Sequence, residues 1–179
     1  MSSPVLPEAL QRLLDRQAIE DVLVRYSRAV DRADIDLLRG CYHDDATEDH
    51  GGVFEGPAKD YVDQIAGLLP RARFLNHLVT NVLVEFNAPD VAQVEAHILT
   101  FARMKKDDEK FDTWTLARTV DRFEKRDDRW AIASRRLCFE WNQEVPMNES
   151  WGRGLMVPDP KALVRGAKRP DDILYQEED

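Results

Sequence analysis

The sequence predicts an α+β fold: a curved, mixed or antiparallel sheet wrapped on helices that come from the N-terminal part of the chain. Three observations carry this. Up to about residue 70, apolar residues recur at intervals of three and four, the period of an amphipathic helix. From residue 77 onward the pattern turns β-branched and alternating, in long stretches separated by short polar turns. Long consecutive antiparallel strands need one face covered, and the early helices supply that cover, leaving a central pocket between the layers.

The elements follow in order. Pro7 stands near the start of a long helix, "ALQRLLDRQAIEDVLVRYSRAV", in which Leu10, Leu13, Leu14, Ala18, Ile19, Val22 and Leu23 form one stripe. Tyr26 and Val30 continue it. Asp34 is placed to cap a second, shorter helix over "DIDLLRGCY". "HDDATEDHGGVFEGP" reads as turn-rich, with a short strand near Ala46 and a break at Gly51 and Gly52. "AKDYVDQIAGLLP" makes a third helix stopped by Pro70. "HLVTNVLVEF" is the first long strand, and "NAPD" turns the chain. In "VAQVEAHILTFARM", Val94, Ala96 and Ile98 point one way while Glu95, His97 and Leu99 point the other. After the charged turn "KKDDEK", the strands "FDTWTLARTVDRFEKR" and "RWAIASRRLCFEWN" are joined through Asp127 and Asp128. These elements make one domain over residues 1–145. Residues 146–179 form a Pro- and charge-rich extension whose Trp151, Leu155, Met156, Val157 and Leu163 are expected to lie over the domain or a neighbouring subunit.

Bulk properties exclude several functions. A chain of 179 residues, 43% hydrophobic and 33% charged, has the balance of one soluble domain with a sizeable core. A net charge of -9 argues against nucleic-acid binding. No apolar run is long enough to cross a bilayer. The opening "MSSPVLPEALQRLLDRQ" lacks the basic and apolar regions of a signal peptide. Cys41 and Cys138 form no close metal or redox motif, so a cytoplasmic protein with two free thiols is expected, a disulfide between them staying open. No phosphate loop, dinucleotide fingerprint, nucleophile elbow or HExxH pattern is present.

Tyr26, Asp31, His77 and Arg135 stand where the pattern expects apolar residues. A histidine abstracts protons near neutral pH, and a carboxylate on its other nitrogen fixes the tautomer and stabilises the imidazolium. Tyrosine donates to an oxygen or a departing group, and arginine stabilises developing negative charge. Together they suit proton abstraction beside an activated carbon followed by loss of a group, with no metal or organic cofactor required. Spacing alone leaves structural roles open for each: a strand-start histidine, a helix-end carboxylate, a core tyrosine, a charge on a strand. Tyr26 and Asp31 are about 140° apart around an ideal helix, so only a helix ending near Asp31 lets them share a cavity. His43, Asp44, Asp45, Asp49 and His50 could hold a metal but read better as a solvated turn, with His50 the member able to face a pocket mouth. Asn76 is placed to orient a ligand or cap a turn, and Trp114, Phe139 and Trp141 to form an aromatic pocket wall, core or interface. His97 beside Glu95 reads as a sheet-surface or interface pair.

The segments "RQAIEDVLVRYSRAVDR", "FEGP", "NHLVTNVLVEF" and "DRFEKRDDRWAIASRR" resemble the SnoaL-like branch of the nuclear transport factor 2-like superfamily, over roughly residues 9–143. The resemblance implies a cone-shaped α+β fold. Within the superfamily the chain is similar to the dehydratase and dehydrochlorinase group, which includes scytalone dehydratase, hexachlorocyclohexane dehydrochlorinase and bile acid 7α-dehydratase. That likeness implies a His-Asp dyad at His77 and Asp31, a tyrosine at Tyr26 and a pocket arginine at Arg135. It implies a cofactor-independent lyase acting by elimination on a small hydrophobic cyclic, polyketide-like or steroid-like substrate, assembled as a homodimer or homotrimer. An isomerase of the same fold, a non-catalytic small subunit and a ligand-binding protein are the alternatives it leaves.

Overall fold

The computed structural model describes residues 7–72, 74–106, 109–148 and 160–176. Helix α1 (Glu8–Arg32) is followed by α2 (Ile35–Arg39), strands β1 (Tyr42–Asp49) and β2 (Glu55–Pro57), helix α3 (Ala58–Ala66), and four long strands. These are β3 (Phe74–Ala88), β4 (Val91–Lys106), β5 (Glu109–Arg126) and β6 (Arg129–Pro146). The sheet order is β2-β1-β6-β5-β4-β3. β3 to β6 form an antiparallel meander, while β1 runs parallel to β6, so the sheet is mixed. The helices pack against this curved sheet, and the fold is α+β.

The core lies between α1 and the concave face. Ile19, Leu23 and Ala29 of α1 meet Val94, Ala96, Phe123 and Ile132, all essentially sealed from solvent. Bulges bend the strands. Asn81 takes a left-handed backbone (φ 50°) where the β3–β4 register shifts between Thr80 and Leu83. The extra residue changes the parity, so Leu75, His77 and Val79 face inward before it, and Val82, Val84 and Phe86 after it. Asp127 and Asp128, both at positive φ, make the two-residue hairpin between β5 and β6.

Two expectations need correction. Leu10, Leu13 and Leu14 continue the helical stripe but are 42%, 64% and 50% exposed, because the first turns of α1 run past the packed layers. The segment from Tyr42 is not a solvated turn with a short strand. It is an eight-residue strand whose Tyr42, His43, Ala46 and Glu48 are buried, His43 being held by Nε2 against the Glu124 carbonyl at 2.9 Å. Turn-forming composition was overridden by pairing with β6 on one side and β2 on the other. Among the described residues, no group of His, Cys, Asp or Glu is arranged as a metal site. Cys41 and Cys138 are both free thiols. No helix there is long and apolar enough to cross a membrane.

Residues 160–176 return to the end of α1. The Arg169 amide donates to the Arg32 carbonyl (2.8 Å), the Arg169 guanidinium to Asp34 (2.9 Å), and Asp172 lies 3.4 Å from Arg32. Leu163 lines an outer cavity with this segment. Trp151, Leu155, Met156 and Val157 lie outside the described residues.

Asp15 joins α1 to the sheet. It accepts from Trp130 Nε1 (2.7 Å) and Gln11 (3.2 Å), with Lys125 Nζ at 3.2 Å. Burial pushes its carboxyl up, but these donors outweigh burial and hold it below the ordinary aspartate value. A depressed folded-state value stabilises above the unfolded value, and that stability is lost as pH falls through the folded value. Asp15→Asn is therefore expected to lower stability by roughly 1.5–3 kcal/mol at neutral pH. The gap in urea midpoint between the two proteins should narrow as the pH falls below the ordinary aspartate value and on through the lowered folded-state value.

Candidate functional site

α1 ends at Ala33, whose left-handed backbone (φ 55°) lets its N–H return to the Ala29 and Val30 carbonyls. Asp31 thus sits in the last turn, where a carboxylate meets the negative end of the helix dipole. Two donors from β3 compensate it. The His77 backbone N–H reaches Asp31 Oδ2 at 3.0 Å, and His77 Nδ1 lies 2.6 Å from Oδ1. An ionised carboxylate only accepts, so Nδ1 carries the proton and Nε2 is left as the basic nitrogen. Lys168 Nζ donates to the Asp31 carbonyl at 2.7 Å, tying the C-terminal segment to the same turn. Burial pushes the Lys168 ammonium down, against the opposing pull of Asp31.

His77 forms part of the wall of an inner chamber of about 200 Å³, together with Tyr26, His50, Tyr61, Arg135 and Phe139. An apolar cavity of roughly 150 Å³ holds a benzene, so the chamber suits a small ring system. Asp31 is buried behind His77 and borders a second, outer cavity. The structure therefore brings Tyr26, Asp31, His77 and Arg135 together, along with His50 and Phe139. Arg135 is buried, with its guanidinium carbon 4.1 Å above the Tyr26 ring. It makes a two-bond ion pair with Asp121, Nε to Oδ1 at 2.9 Å and Nη2 to Oδ2 at 2.7 Å. Burial works to lower the guanidinium, but the Asp121 carboxylate holds it well above its ordinary value, so it stays charged. Burial also pushes up the Tyr26 and Tyr61 hydroxyls, keeping both as neutral donors.

Asn76, Trp114 and Trp141 fall elsewhere. Asn76 precedes His77 on β3 and points to the opposite side, where it and Trp114 line the outer cavity. Trp114 has the same relation to Thr115, which lines the chamber. Trp141 is two residues beyond Phe139, so simple alternation would bring it inside. The β5–β6 register instead pairs Ala117 with Phe139 and Leu116 with Trp141, leaving Glu140 as a bulge. That bulge turns Trp141 outward, where it is 47% exposed.

Glu48, Tyr61 and Asp121 escaped the sequence reading. Glu48 is fully buried; Tyr42 donates to its Oε2 at 2.7 Å, and its Oε1 lies 2.7 Å from His50 Nδ1. The signal was a carboxylate and an imidazole two residues apart, at the end of what proved to be a strand. Asp121 is the cross-strand partner of Arg135 in the β5–β6 register.

Gly51 lets the His50 turn approach β6. Its φ is 59°, and a Cβ there would lie 2.9 Å from both the Leu137 carbonyl oxygen and the Phe139 ring. Gly51→Ala is expected to destabilise the protein by about 1–3 kcal/mol and to displace His50. Urea midpoints and the His50 ring resonances by NMR read the two effects separately.

Comparison with known proteins agrees with this architecture. The SnoaL-like domain family matches residues 11–136. No similar sequence is found among curated proteins. Among solved structures, LinA has 22% identity and a TM-score of 0.71, covering 79% of this chain and 99% of its own. A hexachlorocyclohexane dehydrochlorinase (LinA) type 2 has 20% identity and a TM-score of 0.72, covering 83% and 100%. A candidate scytalone dehydratase from Novosphingobium aromaticivorans has 18% identity and a TM-score of 0.67, covering 78% and 93%. At these identities the likeness is one of fold. The family match spans more than half of the chain, and on that ground this protein belongs to the SnoaL-like domain family.

Proposed function

We propose that this protein is a lyase that needs no cofactor and eliminates a group from a small cyclic substrate by proton abstraction. The observation that carries the reading is the 2.6 Å contact between His77 Nδ1 and Asp31 in the wall of a chamber sized for one small ring system. Asp31 orients the ring. His77 Nε2 takes the proton from a carbon beside a carbonyl or within an activated ring. The C–H electron pair forms the new double bond, and the bond to the leaving group breaks. Tyr26, backed by Arg135, donates toward the oxygen on which charge develops. Structures of similar fold that carry the names of hexachlorocyclohexane dehydrochlorinases and of a candidate scytalone dehydratase support this reading.

A purely scaffolding protein or passive ligand carrier has no use for a buried carboxylate holding a chamber-lining histidine beside a buried arginine, since polar burial costs free energy. Isomerisation would use the same first step, and product mass separates the two. Incubation with cyclic β-hydroxy ketones, followed by mass spectrometry, should show a product lighter by one water that fails to form with Asp31→Asn. A product of unchanged mass would instead identify an isomerase. Assembly as a homodimer or homotrimer belongs to the same proposal, supported by Leu78, Leu83, Trp114 and Trp141, each more than 40% exposed on the strands.

A further inference from the structure

The chamber holds a second histidine-carboxylate pair that the proton-abstraction step does not use. His50 Nδ1 is 2.7 Å from Glu48 Oε1, and Glu48 is sealed from solvent with Tyr42 on its other oxygen. The His50 ring stacks on Tyr61 with centroids 4.7 Å apart. Its Nε2 lies 3.4 Å from the Tyr61 hydroxyl, which lies 3.5 Å from the Tyr26 hydroxyl. The unit therefore runs Tyr42, Glu48, His50, Tyr61, Tyr26, from β1 across α3 to α1. His50 follows the end of β1 and His77 lies on β3, with β6, β5 and β4 between those two strands, yet both line one chamber.

We propose that His50, oriented by Glu48, is the proton donor for the leaving group, and that the substrate accordingly loses a hydroxyl rather than a halide. This rests on the elimination reading above. Hydroxide leaves poorly unless protonated, whereas a halide departs as an anion and needs no proton. Arg135, the positive group against the chamber, is already committed to Asp121 by two hydrogen bonds. The His50 wall thus offers a proton where a site built for an anionic leaving group would offer free positive charge.

The step balances as follows. His77 Nε2 takes the proton from the carbon beside the carbonyl. The C–H pair becomes the new C=C bond, and the C–O pair stays with the departing oxygen. His50 enters this step as the imidazolium, with Nδ1–H on Glu48, and its Nε2–H, directly or through the Tyr61 hydroxyl, supplies the proton that makes that oxygen water. His77 then returns its proton to solvent and His50 regains one, so the protein is unchanged. Glu48 keeps the remaining proton of His50 on Nδ1 throughout.

The test uses two probes on one ring, 3-hydroxy-1-tetralone and 3-chloro-1-tetralone, which lose water and hydrogen chloride respectively to give the same product. Rates are taken above the buffer background with the full chain. His50→Asn keeps a donor near Glu48 but removes the Nε2 position. It is expected to lower the ratio of water loss to chloride loss by about 10²-fold, the size of a general-acid contribution. Tyr61→Phe should lower the ratio in the same direction, which keeps the inference testable if His50→Asn is poorly folded by circular dichroism. His77→Ala should lower both rates. An unchanged ratio in both folded variants, or wild-type turnover of the chloride alone, overturns the role of His50 and leaves the elimination reading standing. Turnover of neither probe by the wild type, or full retention of both rates in His77→Ala, overturns the elimination reading and this inference with it.

Discussion

Replacing His77 with alanine is expected to cut turnover by roughly 10²–10⁴-fold, the range that a positioned general base contributes. The loss should appear in kcat rather than in KM, because the imidazole acts on the proton in flight more than on the resting substrate. His77 is partly exposed, and its backbone N–H still reaches Asp31 Oδ2 in the variant, so the fold should survive. Asp31→Asn tests the other half of the pair. The amide can present its N–H₂ to Nδ1, which favours the wrong tautomer and moves the ring proton to Nε2, where the base is needed. Turnover should fall substantially in this variant too, and the double variant should be little worse than His77→Ala alone, because the two residues act as a unit. Steady-state rates on a cyclic β-hydroxy ketone, with circular dichroism as the folding control, decide this. Wild-type rates in folded His77→Ala would remove the base from the mechanism.

The largest expected effect on stability comes from Asp121. Its side chain is fully buried and carries both hydrogen bonds to Arg135, itself only 3% exposed at the side chain. Asp121→Ala leaves a guanidinium in the interior facing the Tyr26 ring without the carboxylate that takes both of its hydrogen bonds. Breaking a buried pair from one side typically costs about 3–5 kcal/mol. A domain of this size holds about 5–15 kcal/mol in total, so the variant should be marginal in urea at room temperature. Removing both charges, as in Asp121→Leu with Arg135→Met, should recover much of the loss, because neither desolvation cost then remains. Urea midpoints of the two single variants and the double variant give the coupling directly. A double variant less stable than either single one would contradict the ion-pair account.

Each of the four candidate residues stood out by breaking a local rhythm, but spacing left its role open, and only the family resemblance paired His77 with Asp31. Asp31 is a carboxylate at the wrong end of a helix dipole, and His77 is a polar residue on the inward parity of an apolar strand. Arg135 is a charge on an inward face, which demanded a partner, although the sequence could not say which carboxylate supplied it. The pocket-wall reading of Trp141 fails because a single bulge at Glu140 reverses alternation, and a bulge has no reliable mark in the pattern. Glu48 was missed for a related reason. Its segment is rich in Asp, Glu and Gly, which local propensity reads as turn, yet parallel pairing with β6 makes it a strand and buries the carboxylate.

What the chain determined by itself was the set of elements with a strong period: α1, α3 and the four long strands, together with the hairpin at Asp127 and Asp128. Periodicity is a local property, written in neighbours three, four or two residues apart, so it survives without knowledge of the fold. The chamber is a different kind of object. His50 and His77 face one cavity only because β1 joins the far side of β6 and the strands curve through their bulges. Asp121 meets Arg135 only through the register of two strands. Such pairings depend on which distant segments exclude water from one another, and that is decided when the layers close.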